Sequence, residues 1–257
     1  MKKNKVLYYS VFVVLIGVFV FSAYKLGAYW MEKVRSDQMM DEASQFVDVG
    51  GNQNDENDAN SGSDEQGDDP NTGDPEQIEV DFAAMAELSD DIVAWIYCPN
   101  TQINYPIVQG YDNDYYLYRL LDGTWNANGT IFMDYRNEDD FSDYNTMIYG
   151  HHMKTGAMFA DLMKYKSQSY YEEHPYMYIY TPEQNYRLDL FAGTVVDCIA
   201  DIYSYEPSSA VLNDCISRST FDATLDYPAN RIVTLSTCTY EYDDARYVVL
   251  GDLVPID

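Results

Sequence analysis

Apolar positions along the chain fall into two patterns, separated by a stretch with almost none. The first is unbroken: residues 6–24, a run of 19, carry no charge and many β-branched or aromatic side chains. That is about the length of helix that crosses a bilayer. Tyr29 and Trp30 follow as an interfacial aromatic pair. The second pattern begins near Ile78 and consists of short runs. Residues 80–88 have helical spacing, and Ser89, Asp90 and Asp91 can end that helix or cap the next turn. Strand-like runs then occur at 94–98, 103–108, 129–133, 146–149, 177–180, 186–196, 232–235 and 247–250. Turn-forming clusters at 99–101, 126–129 and 181–185 separate many of them. Helices are predicted at 113–121, 157–171 and 208–217; in the second, Met158, Phe159, Leu162 and Met163 form one apolar face. Many short strands with few helices predict a mostly β domain, a barrel or sandwich, rather than βαβ units.

Charge divides the chain further. Lys2, Lys3 and Lys5 precede the apolar run, which favours a cytoplasmic N-terminus and an extracellular remainder. A cleaved signal peptide is the rival reading, with a shorter apolar core and a small-residue cleavage site. Residues 37–76 contain 13 acids and no Lys or Arg. The middle, 50–75, is nearly all Gly, Asn, Asp, Glu, Gln, Ser and Pro, a composition that cannot bury enough apolar surface to offset its ordering entropy. The expected organisation is therefore a cytoplasmic tail and transmembrane anchor (1–30), an acidic disordered spacer (31–77) and a folded domain (78–257). A formal net charge of −28 argues against nucleic acid as a partner. The 26 tyrosines suit half-buried sheet faces.

Candidate chemistry gathers at strand ends. The run at 231–235 reads as a strand and the run at 245–250 as its antiparallel return, which brings Cys238 and Arg246 to one end of a sheet. A thiolate is a nucleophile, and a neighbouring cation favours it. Packing is the bland alternative, since free cysteines are commonly buried. His151 and His152 follow the strand ending at Tyr149; adjacent residues on extended backbone point to opposite sides, so at most one faces Cys238. A Cys–His pair is a recognised way to activate a nucleophile. Zinc is disfavoured, because paired adjacent histidines do not readily bind one ion and no Cys-x-x-Cys is present. Asn137, Glu138, Asp139, Asp140 and Asp143 lack the spacing of a calcium loop. Cys98, Cys198 and Cys215 are read as buried thiols, with a Cys198–Cys215 disulfide left open.

Leu235-Ser236-Thr237-Cys238 ending a strand, Arg246 eight residues on, and Tyr149-Gly150-His151 upstream together resemble a sortase, the Gram-positive cysteine transpeptidases. The similarity runs from about residue 80 to 254. Residues 103–110, the stretch 112–117, Tyr149 to Met153 and Met158-Phe159 are similar to the class B branch. The resemblance implies a closed β-barrel with an N-terminal helix and a few inserted helices. It also implies that Cys238 attacks the carbonyl of a sorting-signal peptide to give a thioacyl enzyme. His151 would be general acid and then base, and Arg246 would stabilise the oxyanion, with a backbone N–H near 237–239 as second donor. Tyr149, Ser236, Thr237, Asn113 and Leu117 would border the peptide groove. Partners would be exported surface proteins and, as acceptor, an amine of cell-wall precursor or of another protein; the implied chemistry needs no cofactor. Position 239 is Thr, where the family can carry an acid. Two other readings predict different behaviour: a non-enzymatic surface module on a stalk, or a thiol peptidase with water as acceptor.

Overall fold

In the computed structural model, which describes residues 2–48, 75, 78–224 and 231–256, the N-terminal apolar run forms one continuous helix, α1 (Lys2–Ser44). Its stretch Tyr8–Ser44 is long and apolar enough to cross a membrane. The helix does not stop where the apolar run does. Ser36, Met39, Met40 and Ala43 recur at spacings of three and four, so they share one face. Ser36 and Ala43 are buried, and Met39 and Met40 pack on the core beneath them. Asp41 and Glu42 stay exposed. This corrects the expectation of a disordered spacer over all of 31–77: its first 14 residues are helix, because four small or apolar side chains suffice to dock an otherwise acidic stretch. The heart of the expected spacer, 49–74, lies outside the described residues.

Strand β1 (Val47–Asp48) pairs with β2 (Glu79–Val80), Val47 opposite Val80. Because Val80 is held in that ladder, the helix expected over 80–88 shrinks to α2 (Phe82–Met85), capped by Asp81 Oδ1, which accepts from the amide of Ala84 at 2.9 Å.

Eight strands then close a barrel: β3 (Ile92–Tyr97), β4 (Asn104–Gln109), β5 (Phe132–Met133), β6 (Asn145–Tyr149), β7 (Tyr176–Tyr180), β8 (Asn185–Asp197), β9 (Ile232–Cys238) and β10 (Ala245–Ile256), in the order β10-β8-β7-β3-β4-β5-β6-β9. The β4–β5 and β6–β9 pairs are parallel; the other pairs are antiparallel. Alternation sorts each strand between two environments. Along β3 and just past it, Ala94, Ile96 and Cys98 point into the barrel, whereas Trp95 and Tyr97 join the layer under α1. Burial of both faces explains why this strand reads as an unbroken apolar run. On the opposite wall, Ile232, Val248 and Leu250 pack under α4 (Ser209–Ser217) with Leu212 and Cys215.

Two expected helices are altered. The one predicted at 157–171 is a 3-10 helix (Phe159–Lys166) followed by α3 (Gln168–Glu173), broken at the extended Ser167. The one predicted at 113–121 is reduced to a 3-10 turn, Tyr116–Tyr118. An α-helix would use the carbonyls of 116–118 for amides four residues on. Here the Tyr116 carbonyl takes Thr130 N (3.0 Å), Tyr118 takes Asn126 N (3.0 Å), and Leu117 takes the His151 ring (2.7 Å).

Candidate active site

Cys238 and Arg246 are directly opposed across β9 and β10. The amide of Thr239 donates to the carbonyl of Ala245 (3.2 Å), which makes 239–245 a hydrogen-bonded pair and 238–246 the closer kind, with Cα atoms about 4.5 Å apart and side chains on one face. Ser236 shares that face, two residues back. It lies outside the barrel, since the alternate residues Leu235 and Tyr247 belong to the interior. Strand β6 runs parallel to β9 with Tyr149 beside Ser236. The ladder continues through the Gly150 amide, donating to the Ser236 carbonyl (3.1 Å), and Thr237 Oγ1, donating to the Gly150 carbonyl (2.8 Å). Gly150 is required by packing. A Cβ there would lie 2.8 Å from Ile131 Cδ1 and from the Phe159 ring.

The chain leaves β6 through that narrow passage and delivers His151. Its carbonyl accepts from the Phe159 amide (3.0 Å), and its ring lies 5.6 Å from that of Tyr118. Nε2 is 2.7 Å from the Leu117 carbonyl. A carbonyl only accepts, so the proton is on Nε2, and Nδ1 is the nitrogen left for proton exchange. Leu117 can approach because Gly129, at φ +60°, lies where any Cβ would be 2.5 Å from its carbonyl oxygen. His152 turns the other way, its ring 5.6 Å from Tyr240.

All eight residues singled out from the sequence, His151, Cys238, Arg246, Asn113, Leu117, Tyr149, Ser236 and Thr237, border one cavity of about 450 Å³. Arg246 Nη1 donates to the carbonyl of Ala245 (3.0 Å). None of the ion pairs among the described residues involves it, so its charge faces the cavity without a carboxylate. The amide of Thr239, expected as one possible oxyanion donor, is committed to Ala245.

In the cavity wall and directly behind it lie residues that sequence reasoning missed. Asp134, just past β5, has a fully buried side chain. It accepts from Asn113 Nδ2 (2.9 Å), Tyr149 Oη (3.0 Å) and both Nε and Nη2 of Arg136 (2.8 Å each). Burial pushes its carboxyl upward, but the hydrogen bonds from Arg136, Asn113 and Tyr149 outweigh that and hold it below the usual carboxylate range. The same burial, with Asp134 beside it, drives the Tyr149 phenol well up. Tyr203 Oη and Ser236 Oγ are 2.8 Å apart, and burial pushes Tyr203 up to about 12. Both phenols stay neutral hydrogen-bonding groups at physiological pH. Arg136, Tyr118, Phe132 and Cys198 complete the walls. The four cysteines are free thiols. In the acidic loop, Asp143 is occupied by Asn137 Nδ2 (2.7 Å) and the Glu138 amide (2.8 Å).

The sortase domain family model matches residues 96–254. Across 264 residues the chain is 32% identical to sortase B of Listeria monocytogenes, covering 99% of each protein. Sortase B of Bacillus anthracis in complex with AAEK1 is similar at a TM-score of 0.66 and 30% identity, over 88% of this chain and 100% of that one. The Staphylococcus aureus sortase B–substrate complex gives 0.61 and 30%, over 68% and 85%. A closed barrel, a cavity joining cysteine, histidine and arginine, and this degree of identity lead to one conclusion: the chain belongs to the sortase family, in its class B branch.

Proposed function

We propose that this chain is a membrane-anchored transpeptidase that cuts a sorting signal near the C-terminus of an exported protein and joins the new end to an amine. The observation that carries the reading is the same-face opposition of Cys238 and Arg246 on β9 and β10 in the cavity that His151 lines. Cys238 Sγ attacks the scissile carbonyl carbon. As the C–N bond breaks, His151 gives a proton to the departing amine, leaving a thioester on Cys238. An incoming amine then attacks the thioester, loses a proton to His151, and the thiolate leaves. In both steps the carbonyl oxygen gains negative charge, which the Arg246 guanidinium, in no ion pair among the described residues, stabilises. Asn113, Leu117, Tyr149, Ser236 and Thr237 form the groove walls, and the substrate complex of the S. aureus relative supports a peptide there. The acceptor is an amine of cell-wall precursor or of a surface protein.

Lysines before the apolar run support a cytoplasmic N-terminus and an extracellular barrel. The domain division we propose is an anchor, a connecting segment to residue 77 that is helical in its first part, and a catalytic barrel from 78 onward.

The test incubates the protein with fluorogenic sorting peptides, with and without an amine acceptor. A product heavier by the acceptor supports transfer. Cleavage that ignores the acceptor makes the chain a hydrolase, and silence across peptide motifs overturns the enzymatic reading.

A further inference from the structure

We propose that the loop at 119–126, with Trp125 exposed, is a docking site for the lipid headgroup surface, holding the cavity wall at the bilayer. The proposal rests on the reading of α1 as a membrane span.

The argument starts from where the barrel grips α1. Asn126 Nδ2 donates to the carbonyl of Glu32 (2.8 Å), and Arg35 pairs with Asp122 (3.1 Å). Glu32 is eight residues past Tyr24, where the uncharged run ends, or about 12 Å along an upright helix. The headgroup layer of one leaflet is itself about 5–7 Å deep, and any tilt of the span lowers Glu32 further. The loop gripping Glu32 therefore stands at or just above the headgroups, within reach of a long side chain.

Its side chains suit that position. Trp125 is 59% exposed, and Tyr111, on the neighbouring segment, is 75% exposed. The Tyr111 ring lies tilted against that of Tyr115, centroids 5.2 Å apart, the Arg119 guanidinium lies 4.6 Å from the Tyr115 ring centroid, and the Tyr115 hydroxyl reaches Gly123 in the 119–126 loop. Exposed Trp and Tyr with Arg are the chemistry of a membrane–water interface. On the adjoining part of α1, Lys33 and Arg35 are paired with Asp37 and Asp122, and Lys25 lies over the Phe21 ring. Acids and bases are mixed at this end, so the exposed aromatic rings, not a net positive charge, fit it to face lipid.

The loop is also tied to the site. Asn126 N donates to the carbonyl of Tyr118 (3.0 Å), and the neighbouring carbonyl of Leu117 receives the His151 ring (2.7 Å). Docking of Trp125 thus fixes the height of the cavity, where donors and acceptors tethered in the same membrane can enter it.

The experiment uses the full chain carrying Trp30→Phe in nanodiscs of phosphatidylcholine and phosphatidylglycerol, so that the buried Trp95 and exposed Trp125 remain. Nitroxide lipids labelled at the headgroup should quench most of the Trp125 emission, and the quenched component should vanish in Trp30→Phe/Trp125→Phe. A chain that is inserted in the discs but whose Trp125 is not quenched overturns the docking alone. A chain that fails to associate with discs overturns the reading of α1, and the docking falls with it. In proteoliposomes, Trp125→Ser should slow turnover of a lipid-tethered peptide several-fold and leave a soluble peptide unaffected; equal slowing of both would assign Trp125 to the fold and contradict the proposal.

Discussion

Replacing Asp134 with Asn keeps the outline of the side chain and removes its charge. The carboxylate is fully buried, whereas Arg136 is 43% exposed. Removing one partner of a buried ion pair costs about 3–5 kcal/mol. Arg136 can regain water, so the expected loss is smaller, about 2–3 kcal/mol including the bonds to Asn113 and Tyr149. In a domain of this size that lowers Tm by about 5–10 °C. The pH dependence has a definite sign. Burial opposes ionisation of Asp134, but its hydrogen bonds leave the folded pKa below the ordinary value. The ionised carboxylate therefore stabilises the fold above the unfolded pKa of about 3.9, and this contribution is lost as pH falls through the lower, folded value. Thermal melts of both proteins from pH 7 to pH 3 should show a steady gap down to about pH 5 that narrows below about pH 4. With its anchor gone, the Asn113–Tyr149 wall should loosen, raising KM for peptide more than it lowers kcat. Equal melting temperatures at pH 7, or a gap unchanged at pH 3, would refute the reasoning.

Other substitutions probe the site separately. Arg246→Lys keeps a charge but loses the planar fork; kcat on a fluorogenic peptide should fall about 10²-fold or more, while Tm barely moves because Arg246 has no ion pair among the described residues. A lysine variant with near-normal kcat would remove Arg246 from the oxyanion role. Iodoacetamide at pH 8, read by peptide mapping, should modify Cys238 well before Cys98, whose thiol burial pushes up to about 11, and before the buried Cys215. Gly150→Ala should cost about 1–3 kcal/mol by overpacking against Ile131 and Phe159, and should lower activity by displacing His151. A variant as stable and active as the parent would show that the passage is not tight.

Much of the barrel was legible because its strands carry their burial in their own residues. The runs at 94–98 and 186–196 reappear almost unchanged as Ile92–Tyr97 and Asn185–Asp197. The meeting of Cys238 with Arg246 was legible too, because a strand and its antiparallel return bring such positions together. What escaped notice depended on distant partners. No local signal in 113–121 reveals that three carbonyls will be claimed by Asn126, Thr130 and His151. Asp134 looks like any acid after a short apolar run; Arg136 is a neighbour in sequence, but only the fold brings Asn113 and Tyr149 to it. In α1 the opposite error arose. Composition suggested a solvated spacer, although the spacing of Ser36, Met39, Met40 and Ala43 already marked a buried helical face.

The central claim is that Cys238 carries the acyl group between two amines, and intact-protein mass spectrometry tests it most directly. With a cleavable sorting peptide and no acceptor, the account predicts a mass increase equal to the acyl fragment, mapped to Cys238, absent in Cys238→Ala and discharged by an added amine. Product formed with the adduct on another residue, or with Cys238→Ala fully active, would contradict it.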